Sequence, residues 1–174
     1  MSGTTALYVD VAPAATVVRR ASGWQRPRLL HRPQPPHVTV LWPFLPAARL
    51  DAGTRQVIAD VVGALPVFTA RFSRVGRFPE VVYLAPDDPE PFVRMTHAVM
   101  ARWPECPPYS GAFADVIPHV TLRWAADLRP GTTLDDLLPV DVRITEVHLA
   151  VDRRWRGWTV IESFPLGPAG LSSR

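Results

Sequence analysis

The chain has 174 residues, 19 basic against 16 acidic, a net charge of +3, and 47% hydrophobic residues. That length can bury a core without disulfides or metals. A single cysteine, Cys106, excludes an internal disulfide framework and a cysteine-based zinc site, and no apolar run approaches the ~18 residues of a membrane span. Residues 1–10 have no basic n-region, apolar h-region or cleavage site, so the expectation is a cytoplasmic globular protein. All 19 basic residues are arginine, which a GC-rich genome explains most simply. Their distribution is uneven: residues 11–50 contain no Asp or Glu but carry Arg19, Arg20, Arg26, Arg28, Arg32 and Arg49. Such a local excess suggests an anionic partner.

The first predicted element is a strand over Ala6 to Val11. A Pro/Arg-rich stretch to Pro36 follows, with helical character near Ala14 to Ser22 and an extended approach imposed by Pro33, Pro35 and Pro36. His37 to Trp42 reads as a buried strand. Leu50 to Leu65 has helical spacing at Val57, Ile58, Val61, Val62 and Leu65, with Asp51 as N-cap. Val67 to Val75 alternates as a strand, and Gly76 and Pro79 mark a hairpin turn before Val81 to Leu84. Asp88-Pro89 opens a helix running to Trp103, Asp as the cap and Pro at the first position. A Pro-rich loop precedes a strand at His119 to Trp124. A short helix near Leu134 to Leu138, one strand over Val140 to Val151 and a last strand over Trp158 to Phe164 complete the chain, with a frayed tail from Gly167. Helices mixed with hairpins favour an α+β fold with largely antiparallel sheets, residues 1–166 being a single unit and 167–174 a tail.

An internal repeat carries the chemistry. Residues 36–42 read PHVTVLW and residues 118–124 read PHVTLRW, identical at five of seven positions and 82 residues apart. Side chains alternate along a strand, so His37 shares a face with Thr39, and His119 with Thr121. If the two halves are related by a pseudo-two-fold, both pairs line one cleft. Histidine titrates near neutral pH, so one ring can take a proton from an attacking hydroxyl or water while the other gives one to the leaving oxygen. The threonine hydroxyls can hold phosphate oxygens. No metal or other cofactor is needed for this scheme. Two core histidines satisfied by backbone groups are the alternative, weakened by the duplication; a zinc site using Asp115 and His119 lacks a third ligand of sensible spacing.

With these motifs the chain resembles the two-histidine (2H) phosphoesterase superfamily, also called the 2′-5′ RNA ligase family, whose signature is two H-x-[ST]-x motifs about 80 residues apart. The resemblance extends to VTVLWPFLP at 38–46, VGRFPEVVYLAP at 75–86, PPYSGAFADVIPHVTL at 107–122 and VHLAVD at 147–152. It implies a bilobal α+β fold, two pseudo-symmetric lobes of mainly antiparallel sheet around a central cleft with helices outside. It also implies metal-independent hydrolysis of a 2′,3′-cyclic phosphate on RNA or a nucleotide, usually to a 2′-phosphate, or a related phosphodiester cleavage or reverse ligation. The expected partner is such an RNA or nucleotide, with no membrane and no metal, and the expected state is a monomer. His37, Thr39, His119 and Thr121 are the catalytic set the resemblance implies, His119 activating water and His37 protonating the leaving oxygen. RNA ligation, a phosphodiesterase for a small non-RNA nucleotide and a non-catalytic RNA-binding module are the competing functions.

Three further residues are candidates for substrate contact. Arg123 would point into the cleft if its strand runs straight, and could bind phosphate. Tyr109 could stack a base, and Arg32 lies in the acid-free segment. Arg153, Arg154 and Arg156 around Trp155 form a basic-aromatic turn suited to RNA. His97 and His148 read as structural, His31 stays open, and Trp42 and Trp124 read as core.

Overall fold

The computed structural model describes residues 3–21, 35–113, 115–124, 131–152 and 158–168. Arg26, Arg28, His31, Arg32 and the 153–157 turn lie outside them. Eight strands form one sheet: β1 (Thr5–Asp10), β2 (His37–Leu41), β3 (Phe68–Arg77), β4 (Val81–Pro86), β5 (Val120–Trp124), β6 (Val140–Ile144), β7 (Glu146–Asp152) and β8 (Trp158–Pro165). Their order is β6-β3-β4-β5-β2-β1-β7-β8, and every neighbouring pair is antiparallel.

The β5-β2 seam divides the order into two sets of four strands, with a motif strand innermost in each. On one side β2 is flanked by β1 and then β7; on the other β5 is flanked by β4 and then β3. The two lobes are therefore halves of one continuous sheet. The strand expected over Val140 to Val151 is two strands broken at Thr145: β6 closes one edge while β7 lies in the opposite half. A single residue thus links distant positions in the strand order, which requires the sheet to curl into a half-barrel.

Helices α1 (Ala15–Ala21), α2 (Ala52–Gly63) and α3 (Glu90–Arg102) complete the layers. Asp51 caps α2 as its sequence suggests, accepting the Thr54 N–H at 2.7 Å. α3 starts one position later than expected, with Pro89 in the cap position and the Asp88 carboxylate accepting the Glu90 N–H at 3.0 Å. α1 packs on β5 and α3 on β2, so each half sends a helix across to the other's motif strand. This crossing matters because the seam itself carries one register pair, Val38 opposite Val120.

Both motif strands also carry a β-bulge at the same place. On β1, Tyr8 pairs with Thr39 and Leu7 with Leu41, leaving Val40 as the extra residue. On β4, Tyr83 pairs with Thr121 and Val82 with Arg123, leaving Leu122 extra. Val40 and Leu122 are both buried, and the Val40 carbonyl accepts a buried hydrogen bond from the Thr96 hydroxyl of α3 at 2.8 Å. A bulge breaks the period-two alternation of a strand, and its consequence for Arg123 appears below.

Candidate active site

Val38 and Val120 point into the core, each no more than 1% exposed. Alternation then turns His37, Thr39, His119 and Thr121 to the opposite face, where all four line one cavity of about 920 Å³. With Val38 opposite Val120 in an antiparallel pair, His37 falls beside Thr121 and Thr39 beside His119. Each half therefore supplies one histidine to the other's threonine.

The histidines are held alike. His37 Nδ1 is 2.8 Å from the Pro35 carbonyl and His119 Nδ1 is 2.7 Å from the Ile117 carbonyl, in each case two residues upstream. A carbonyl only accepts, so each Nδ1 carries the hydrogen and each Nε2 keeps its lone pair. Burial pushes both histidines below their ordinary value, opposed by those carbonyl hydrogen bonds; for His37, the nearby Asp10 also raises it and the charge of His119 lowers it.

A matched aromatic frame surrounds the two rings. Tyr8 on β1 meets His37 edge-on at 5.2 Å, and Tyr83 on β4 meets His119 at 5.3 Å. Trp158 completes the first frame at 5.3 Å from His37, and Phe78 the second at 5.2 Å from His119. Burial, with the Asp10 charge, pushes the Tyr8 hydroxyl up to about 12, so it stays a neutral donor. These four residues are absent from the sequence-derived set. The signal that could have found Tyr8 and Tyr83 is their shared position on the strand paired with each motif strand.

Tyr109 lines the cavity with Thr39; burial raises its value, and the Thr39 side chain opposes that rise. Its φ of 51° and that of Ser110, 56°, lie in the left-handed region. The Tyr109 N–H donates to the Trp42 carbonyl at 2.6 Å, which anchors this costly turn against the motif strand. Trp42, expected in the core, instead lines the cavity 6.1 Å from Tyr109. Apolar lining comes from Phe78, Pro79, Val81, Phe113 and Ile117.

Among the described residues, no arginine lines the cavity. Because of the bulge, Arg123 pairs with buried Val82 and occupies the position that Leu41 fills in the other copy, with the Leu41 side chain fully buried. Arg123 is not among the residues lining the cavity. Arg19 bonds Thr16, Arg20 pairs with Asp136 at 2.6 Å and Arg49 with Glu105 at 3.2 Å. Arg32 lies outside the described residues.

One curled antiparallel sheet with a His-x-Thr pair on each of its two middle strands is the scaffold of a two-histidine phosphoesterase. The chain belongs to the 2'-5' RNA ligase superfamily, whose profile matches residues 9–155. Among solved structures it is similar to TT0787 of Thermus thermophilus, at 18% identity and a TM-score of 0.66, covering 97% of this chain and 99% of that one. It is similar also to LigT of E. coli in its apo form, at 20% identity and a TM-score of 0.60, covering 95% and 98%. LigT complexed with 3'-AMP matches at 19% identity and a TM-score of 0.59, covering 95% and 99%. No curated protein sequence matches the chain.

Proposed function

We propose that the protein is a phosphodiesterase that opens 2′,3′-cyclic phosphates, on RNA ends or nucleotides, to 2′-phosphates. One observation carries this reading: two histidines with identical Nδ1 tethers leave two free Nε2 atoms at a single cavity, each beside a threonine. His119 Nε2 takes a proton from water, and that water oxygen forms a bond to phosphorus. The P–O3′ bond breaks, and a protonated His37 delivers its proton to O3′. Proton exchange with solvent then resets the pair. Burial favours both rings neutral in the free protein, and the arriving phosphate anion supplies the charge that favours protonating one of them.

Thr39 and Thr121 hold the non-bridging oxygens. The apolar walls accept the sugar and base. The titratable pair favours catalysis over a purely binding role, because recognition of an anion does not require two neutral imidazoles. The test is incubation, with EDTA present, with 2′,3′-cyclic mononucleotides and with RNA bearing a cyclic phosphate end. Conversion to 2′-phosphate supports the reading, turnover of mononucleotides alone removes RNA as the preferred substrate, and no turnover of either overturns it.

A further inference from the structure

The repeat is not symmetric in charge. Tyr8 and Tyr83 occupy equivalent places on β1 and β4, each opposite the motif threonine. Two residues on, β1 has Asp10 where β4 has Ala85. Asp10 is the register partner of His37, while continuing the β4-β5 ladder by one pair sets Ala85 beside His119. The next strand out repeats the contrast. Extending the β1-β7 register brings Glu146 opposite Asp10, whereas Arg74 of β3 is opposite Ala85. His37 thus ends a row with two carboxylates, and His119 ends a row with none and an arginine.

The carboxylate is also braced. His148, opposite Tyr8 on β7, has Nε2 3.6 Å from Asp10 Oδ2 and 3.9 Å from Glu146 Oε1, and its Nδ1 is 2.7 Å from the Ser163 hydroxyl of β8. Tyr8 lies between the two imidazoles, 5.2 Å from each ring. At the place of His148 the other half has Gly76, opposite Tyr83. Asp10 Oδ1 is buried with no hydrogen-bond partner.

We propose that Asp10 is a positioning residue that assigns the two histidines their roles: its carboxylate favours a proton on His37 over one on His119, making His37 the acid, and leaves His119, whose row across the described strands carries no carboxylate, the base. An opposite charge on the neighbouring strand favours the protonated ring. The groups that face His37 are Asp10 and Tyr8 from β1, His119 from the segment entering β5 and Trp158 from β8, with His148 and Glu146 of β7 behind Asp10. Asp10 does not touch the reacting atoms in this scheme; it acts through His37. The proposal rests on the phosphodiesterase reading for its chemistry, but the proton preference itself can be read in the resting protein.

The experiment compares wild type with Asp10→Asn, Asp10→Glu and Ala85→Asp. In the resting protein, the His37 ring-proton signal in NMR should titrate about one pH unit lower in Asp10→Asn, with the His119 midpoint unmoved. Asp10→Glu should restore the His37 midpoint. Ala85→Asp, which leaves Asp10 in place, should raise the His119 midpoint and so reduce the difference between the rings. In kcat/KM profiles on a 2′,3′-cyclic nucleotide, Asp10→Asn should move the alkaline limb to lower pH and leave the acidic limb in place. An unchanged His37 midpoint overturns the role of Asp10 even if the enzyme is active. Movement of the acidic limb instead makes His37 the base and overturns the assignment. If wild type turns over no cyclic phosphate, the function falls and the assignment of roles with it, whatever the NMR midpoints show.

Discussion

Gly76 is a strand residue that the sequence presents as a turn, and substituting it tests how His119 is held. Gly76 pairs with Tyr83, and a Cβ added there would clash with Tyr83 Cζ, Cε2 and the hydroxyl oxygen. Tyr83 stacks on Phe78 with centroids 4.3 Å apart, and both rings flank His119. In Gly76→Ala the tyrosine must shift by roughly 1 Å to recover an ordinary contact, and it takes Phe78 and His119 with it. Overpacking of this kind costs about 1–3 kcal/mol, offset by the ~0.5–1 kcal/mol that alanine gains over glycine within a strand. The expected net loss is about 0–2.5 kcal/mol in urea unfolding. Activity should fall further than stability, by roughly 10–10²-fold in kcat, since a displacement of ~1 Å can cost 10²-fold. Adding Tyr83→Leu removes the clash, so the double variant should be more stable than the two single losses sum to. A Gly76→Ala protein that is more stable than wild type and fully active would refute the idea that Tyr83 is seated on this backbone to hold His119.

Thr96→Val removes the hydroxyl that satisfies the Val40 carbonyl in the bulge, a buried bond of 2.8 Å; the loss should be about 1–3 kcal/mol in denaturant unfolding, with the side-chain volume nearly conserved. Arg123→Leu copies the residue that the other repeat has at this place, so KM for a cyclic nucleotide should stay within about threefold of wild type; a rise beyond about tenfold would put Arg123 on the substrate. Stability should depend on pH through both motif histidines. Burial lowers them below 6.5 in the folded protein, so the unfolded chain binds more protons and stability falls as pH drops through about 6.5. Urea midpoints between about pH 7.5 and 5.5 should show this decline, and His37→Gln or His119→Gln should flatten it.

The repeat was legible because a strand bearing a functional face must alternate, and two copies of PHVT state that alternation twice. The α2 helix and its cap were legible for similar local reasons: Asp51 needs only its own turn to act. What the sequence hid was non-local. Thr145 reads as part of one long strand, because nothing local shows that β6 and β7 find partners in opposite halves of the sheet. Gly76 reads as a turn until Tyr83 is placed over it. Arg123 reads as a cleft residue by parity, but parity fails at a bulge, and the bulge follows from the pairing with β1 and β4 rather than from residues 37–42 or 118–124 themselves. The aromatic frame was missed for the same reason: Tyr8 and Tyr83 meet the histidines only across strands.

The central claim is that two histidines move two protons across one phosphorus. The most direct measurement is hydrolysis of a 2′,3′-cyclic nucleotide in ¹⁸O-water with EDTA, followed by phosphorus NMR and mass spectrometry, for wild type, His37→Ala and His119→Ala. Wild type should give a 2′-phosphate carrying one solvent oxygen, and each variant should lose about 10²–10⁴-fold in rate while keeping the wild-type fold by circular dichroism. Full activity in either variant, or a wild-type protein that opens no cyclic phosphate, would contradict the account.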